Sequence, residues 1–232
     1  SETRLASLDA YRGFVMIALA FRGFGLHETS KAFPESPVWQ AIGYQFEHVP
    51  WVGCAFWDLI QPSFMFMVGV ALPYSAAKRQ SLGDSWGKLW LHAWIRSFAL
   101  ILLGIGLTSN WAKQTDFAFM NVLTQIGLGY WALFLLWNRP VWLQALVAVL
   151  ILGADWAWFA QGPLPPADFD WSLYKMPANW GYLPGFEAHW EKHTNVAAEF
   201  DRWFLNLFPR SQPFVFNNGG WDWGNVIVSS NS

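Results

Sequence analysis

Several polar side chains stand at places in this sequence where an apolar chain needs a reason to keep them. His48 lies in Glu47-His48-Val49-Pro50-Trp51, just ahead of an apolar window that begins at Ala55. An imidazole titrates near neutral pH, so such a histidine can act as base or nucleophile; the plain alternative is an ordinary loop residue. Asp58 opens the window that follows, where a carboxylate suits the positive end of a helix. Arg96, in Trp94-Ile95-Arg96-Ser97-Phe98, falls inside a further apolar window. A charge at the centre of a spanning helix costs about 2.5–3.5 kcal/mol. Arg96 therefore either snorkels to the headgroups or faces the interior of a bundle, ready to hold an anion such as phosphate. Asp9 and Arg12 are three apart, share a helix face and can pair. His189 and His193, four apart, could share a face and bind zinc. The protease pattern needs Glu directly after the first His, where this chain has Trp190, and no third ligand is evident; no metal is expected. Cys54 is the lone cysteine, excludes an intramolecular disulfide and reads as a small packing residue.

The elements that must position these groups are apolar helices. A bilayer core of about 30 Å takes ~20 helical residues, and five windows meet or approach that length: Leu8 to Gly25, Ala55 to Ala77, Leu89 to Thr108, Phe117 to Trp137 and Val141 to Ala160. The fourth carries no charge at all. Arg22, where a small-residue cleavage site would be needed, argues against a signal peptide in the first. With the N-terminus in the cytoplasm, the inner segments hold Arg4, Arg12, Lys78, Arg79, Lys88 and Arg139, and the short outer segments hold Arg22, Lys31 and Lys113. That excess of cations favours this orientation. It puts residues 26–54, 109–116 and 161–220 outside. The last of these is rich in Pro, Trp and Asn, and within it residues 195–208 read as an amphipathic helix near the outer surface. Residues 1–160 are thus expected to form the transmembrane core, 161–220 a long extracytoplasmic loop, and 221–232 an incomplete sixth helix or an aberrant tail.

Composition agrees. The 232 residues are 54% hydrophobic and 13% charged, against about 25% charged in a soluble domain. The 18 Trp and 20 Phe suit a membrane interface better than an aromatic-rich soluble core. A net charge of -2 lacks the basic footprint of a nucleic-acid partner. The fold class is therefore all-α: a polytopic integral membrane helix bundle of about five transmembrane helices.

At Arg4-Leu5-Ala6-Ser7-Leu8-Asp9-Ala10-Tyr11-Arg12-Gly13 the chain resembles the opening R-L-x-S-L-D-x-x-R-G of the heparan-α-glucosaminide N-acetyltransferase family and its bacterial transmembrane relatives. His48-Val49-Pro50-Trp51-Val52-Gly53, Asp58-Leu59-Ile60-Gln61-Pro62 and Phe64-Met65-Phe66-Met67-Val68-Gly69 follow in order, similar to the family's H-x-x-W-x-G, D-L-x-x-P and F-x-F-x-x-G. Weaker matches are Arg96-Ser97-Phe98 and Val122-Leu123-Thr124-Gln125-Ile126-Gly127. The resemblance spans residues 4 to about 130. It implies transfer of an acetyl group from cytoplasmic acetyl-CoA to an amino sugar or glycan across the membrane, with His48 as the active histidine, in a bacterial inner membrane. Whether the histidine becomes acetylated or only removes a proton stays open. Asp58 is expected to orient His48 or the amine. Arg12 and Arg96, with Asp9 beside Arg12, are expected on the inner side to hold the phosphates of CoA. Family members have roughly twice as many helices, so the chain is expected to cover the N-terminal half, to be inactive alone, and to be followed downstream of Ser232 by further apolar segments.

Two other classes compete. Polar groups within spanning helices also mark transport pathways, so a transporter or a structural membrane subunit is the alternative. It would move substrate, or nothing, without acetyl-CoA turnover. A secreted zinc enzyme would bind metal and dissolve without detergent. The acceptor and the oligomeric state, a homo-oligomer among the options, are not written in the sequence.

Overall fold

The computed structural model describes residues 6–110, 112–171, 176 and 179–209, and within these every regular element is helical. Arg4 of the opening motif and the segment 221–232, read as a broken sixth helix, lie outside the described residues. The chain divides into two compact units, one through Leu89 and one from Trp90.

In the first unit, α1 (Ala6–Ala20) packs on α4 (Ile60–Ser81). Val15, Ala18, Ile60 and Met67 form the buried seam, flanked by Leu8, Phe56, Trp57 and Phe64. Phe14 meets Phe56 at 6.3 Å between ring centroids, and the Tyr11 hydroxyl donates to Ser63 Oγ at 2.7 Å. Earlier residues of α1 thus match later residues of α4, and the two helices are antiparallel. Between them lie two short helices, α2 (Leu26–Lys31) and α3 (Pro37–Gln45). Ser36 caps α3 by accepting from the Trp39 N–H, and Pro37 occupies the first turn, where a missing N–H costs nothing. Gly43 lets α3 close on α2: a Cβ there would lie 2.6 Å from the Ser30 Cβ. Gln40 ties the same pair, donating to the carbonyls of Ser30 and Phe33. The segment expected as an open outer loop is thus a compact helical hairpin.

The second unit holds most of α5 (Trp86–Ser109), with α6 (Val122–Leu136), α7 (Val141–Ala160) and α8 (Val196–Leu205). Small residues set the α5–α6 approach, as in membrane helix pairs. The Cα of Gly127 sits so close that a Cβ would lie 2.7 Å from the Ser97 carbonyl oxygen, and a Cβ on Gly104 would lie 2.5 Å from Thr124 Cγ2. Aromatic rings close the seam, with Trp94 and Trp131 stacked at 5.1 Å. A turn of 3₁₀ helix at Gly185–Trp190 packs on the end of α7, where Phe159 and Trp190 stack at 6.1 Å.

Among the described residues three helices are long and apolar enough to cross a membrane: Phe56–Ser81, Trp86–Ser109 and Val141–Ala160. α7 buries Phe159 and leaves Val141, Val149, Ile151 and Leu152 more than three-fifths exposed. An apolar helix with so little packed on it belongs in lipid, and the chain is a membrane protein.

Two of the five expected spans come out shorter. α1 and α6 have 15 residues each, about 22 Å at 1.5 Å per residue. The first window breaks after Ala20 into a 3₁₀ turn, Arg22–Gly25, in which Phe24 and Gly25 take positive φ. The fourth begins at Val122 and not Phe117, because Asn121 is an N-cap: its Oδ1 accepts from the Thr124 N–H at 3.0 Å. Phe117 turns away to stack on Phe208 at 5.0 Å, and Phe119 meets the same ring at a tilt at 5.2 Å. The amphipathic helix expected at 195–208 is α8, capped by Asn195.

Candidate functional site

His48 is held on a strap between α3 and α4. Gln45, the last residue of α3, accepts the Phe56 N–H through Oε1 at 2.9 Å. Phe46 packs on Phe56 and Trp57 at 5.4 and 6.3 Å. Val49 is buried, and Gly53, with φ of 125°, turns the chain beside it. That φ suits glycine, since side chains rarely adopt it. The strap therefore has little freedom on either side of His48.

Asp58 sits in the 3₁₀ turn Phe56–Leu59 that opens α4. It is 5% exposed. Its Oδ2 accepts the Ala55 N–H at 2.8 Å, and its Oδ1 meets His48 Nδ1 at 2.7 Å. A carboxylate at the start of a helix also gains from the unpaired N–H groups there. A carboxylate can only accept, so His48 Nδ1 carries the proton and donates it to Asp58. In the neutral ring this tautomer leaves the lone pair on Nε2. The His48 side chain is 44% exposed while its partner is 4% exposed, so a ring open to solvent is tied to a buried anchor. Trp57 stands edge-on to the ring at 6.5 Å. The arrangement can accept a proton at Nε2, or attack through it, with the buried carboxylate steadying the imidazolium that forms.

Of the residues singled out in the sequence, His48 and Asp58 are brought together. Asp9 and Arg12 approach at 3.8 Å, both partly exposed. Their place along α4 follows from Tyr11. Tyr11 bonds Ser63, five residues beyond Asp58, or about 8 Å along α4. Arg12 thus lies alongside the Asp58 end of α4, not a membrane's thickness away. Arg96 is exposed and belongs to the second unit, where its guanidinium lies over the Tyr130 ring at 4.7 Å. That stacking fixes the plane of the guanidinium and leaves its edge for other contacts.

His189 and His193 do not share a helix face. The first is in the 3₁₀ turn and approaches the Gly162 carbonyl through Nδ1 at 2.8 Å; the second follows in a turn at φ 72° and is buried. Burial, and then the charges of Lys192 and Arg202, push the His193 pKa down to about 3. Among the described residues no group of three or more His, Cys, Asp or Glu could hold a metal ion. Cys54 is exposed, and the buried small residue is its neighbour Ala55.

Sequence reasoning passed over Glu191 and His27. Glu191 is 1% exposed and accepts from Trp180 Nε1, the Leu183 N–H and the Lys192 N–H. It fastens the segment after α7. His27 meets Glu47 Oε2 through Nε2 at 3.0 Å and faces the Gly43 carbonyl through Nδ1 at 3.2 Å. The pair is twenty residues apart, and no short-range pattern announces it. No family model matches the chain, and no curated protein is significantly similar to it.

Proposed function

We propose that the chain is part of a membrane-bound acyltransferase that moves an acetyl group from acetyl-CoA to an amino sugar or other glycan amine. The observation that carries this reading is the 2.7 Å contact of His48 Nδ1 with buried Asp58, which leaves Nε2 as an exposed base or nucleophile. The ordered resemblance of the flanking residues to the heparan-α-glucosaminide N-acetyltransferase family supplies the reaction class.

The chemistry suits the pair. An amino sugar at neutral pH is largely an ammonium and must lose a proton before it can attack. Nε2 takes that proton. The amine nitrogen then bonds to the thioester carbonyl carbon, the carbon–sulfur bond breaks, the departing thiolate takes the proton back from the imidazolium, and the second proton that the nitrogen sheds to become a neutral amide passes to water. In the two-step version Nε2 attacks the thioester carbonyl carbon and expels the thiolate, and the neutral amine then takes the acetyl group from the imidazole, its proton going to the thiolate. Asp58 serves both, stabilising the same imidazolium. Arg96 is assigned to the donor's phosphates, where a planar guanidinium favours bidentate contact. Arg12, with Asp9 as its ion partner, is assigned to the neighbourhood of the reacting centre. The N-terminus is taken as cytoplasmic and the membrane as a bacterial inner membrane.

The test is thiol release from acetyl-CoA in the presence of glucosamine, using membranes that carry the product of the whole gene. His48→Ala is expected to lower the rate by about 10²-fold or more. Unchanged turnover in that variant would remove the proposal.

A further inference from the structure

His27 and His48 are both paired with carboxylates, yet their surroundings ask for different protonation. His48 has one acceptor, Asp58, on Nδ1. His27 has acceptors on both nitrogens: the Gly43 carbonyl oxygen at 3.2 Å from Nδ1 and Glu47 Oε2 at 3.0 Å from Nε2. A neutral imidazole donates through one nitrogen only. Both His27 contacts are satisfied together only when the His27–Glu47 pair holds an additional proton between Nε2 and Oε2. Glu47 is 49% exposed and His27 27% exposed, so the contact is partly open to water. The other charged side chains on α2, Glu28 and Lys31, pair with each other at 3.0 Å, and α3 brings Tyr44 but no charge.

Glu47 is the residue immediately before His48. One side chain of this dipeptide is tied back to α2 and the other forward to the start of α4. We infer that the His27–Glu47 ion pair is a positioning device for His48: imidazolium at 27 anchors the strap through Glu47, so that His48 Nδ1 stays on Asp58 and Nε2 stays presented. Deprotonating His27 removes one of its two contacts and loosens the strap. This inference rests on the reading of His48 as the reacting base, and deepens it with a residue that touches neither substrate.

The experiment has two arms, so that failure of the inference and failure of the acyltransferase reading are told apart. In the first, the protein is labelled with ¹⁵N at its five histidines and studied by NMR in detergent. At neutral pH His27 is expected to carry protons on both nitrogens and His48 on Nδ1 alone. In Glu47→Gln, which keeps the shape of the side chain, His27 is expected to lose its second proton and the His48 Nδ1–H signal to broaden and shift. A singly protonated His27 in the parent protein, or a His48 signal untouched by Glu47→Gln, overturns the inference whether or not the protein transfers acetyl groups. In the second arm, acetyl transfer is followed in the variants. Glu47→Gln and His27→Gln are each expected to lower kcat roughly two- to fivefold, the effect of losing a partly exposed ion pair, with KM nearly unchanged. Glu47→Asp is expected to recover part of the loss. Parent-like kcat in both Gln variants overturns the positioning role, provided His48→Ala is inactive. Should His48→Ala retain activity, the acyltransferase reading falls and the NMR arm alone decides the pair.

Discussion

Replacing Asp58 by asparagine tests the core of the argument with a change of almost no volume. The carboxylate makes two bonds with its two oxygens: Oδ2 accepts the Ala55 N–H at 2.8 Å and Oδ1 takes the His48 Nδ1–H at 2.7 Å. An amide has one accepting oxygen and one donating nitrogen. With its oxygen toward His48, the amide nitrogen confronts the Ala55 N–H, and a buried donor is left unsatisfied at a cost of about 1–3 kcal/mol. With its oxygen toward Ala55, the amide nitrogen donates to His48 Nδ1. The histidine then switches tautomer and its proton moves to Nε2, where no base remains. Either arrangement also forfeits the charged partner of the imidazolium, and hydrogen bonds to charged groups are worth about 1.5–3 kcal/mol. Together these losses predict at least a ~10²-fold fall in the rate of acetyl transfer, since each 1.36 kcal/mol is about tenfold. The assay is release of the CoA thiol with glucosamine present, together with thermal unfolding in detergent to show that Asp58→Asn is folded. A folded variant with the parent's rate would refute the claim that Asp58 sets the tautomer and steadies the charge of His48.

The second unit gives two further expectations. Gly127→Ala places a Cβ 2.7 Å from the Ser97 carbonyl oxygen and 3.1 Å from the Ile101 amide nitrogen. Both are backbone atoms that cannot swing aside, so α5 must shift at about 1–3 kcal/mol, read as a fall of several degrees in Tm in detergent. His193 predicts the pH dependence. Its folded pKa is lowered to about 3 from 6.5, so below pH 6.5 the unfolded chain binds a proton that the folded chain refuses. Stability is unaffected by this group above pH 6.5 and declines as the pH drops toward 3, by about 2 kcal/mol at pH 5. His193→Asn, suited to the positive φ, is expected to flatten that decline in denaturation curves recorded from pH 7 to 5.

Much of the helix content is legible because a spanning helix is a statement about composition over some twenty residues, and the windows at Ala55, Leu89 and Val141 lie within α4 and its opening turn, α5 and α7. α8 is equally open to reading, since its apolar stripe repeats at helical spacing behind a capping Asn195. The boundaries are not. A hydropathy window counts Phe117 to Met120 with the residues that follow, whereas the backbone obeys Asn121, whose side chain competes for the first N–H groups and starts the helix after it. In the site, the ten-residue spacing of His48 and Asp58 crosses a strap and a 3₁₀ turn, and no periodic argument links them. Their place in two adjacent motifs is the signal. His27 and Glu47 have none, because their meeting depends on how closely Gly43 lets α3 approach α2.

The position of the cations along α4 bears on how a donor would be held. Arg12 precedes the apolar centre of the first window, which points to the cytoplasmic surface. But α1 is short and antiparallel to α4, and Tyr11 reaches Ser63, so Arg12 travels with the Asp58 end. The basic residues far from Asp58 are those at the other end of α4, Lys78 and Arg79, with Arg79 and Lys88 both within 4.0 Å of Asp84. Twenty residues separate Asp58 from Lys78, about 30 Å of helix and one bilayer core. If the thioester meets His48 while the phosphates stay at the opposite surface, the cations able to receive them from this unit are at that far turn. Arg12 then acts at the reacting end instead. In the proposed reaction its positive charge, beside Asp9 and within about two helical turns of Asp58, would favour the thiolate that forms when the carbon–sulfur bond breaks.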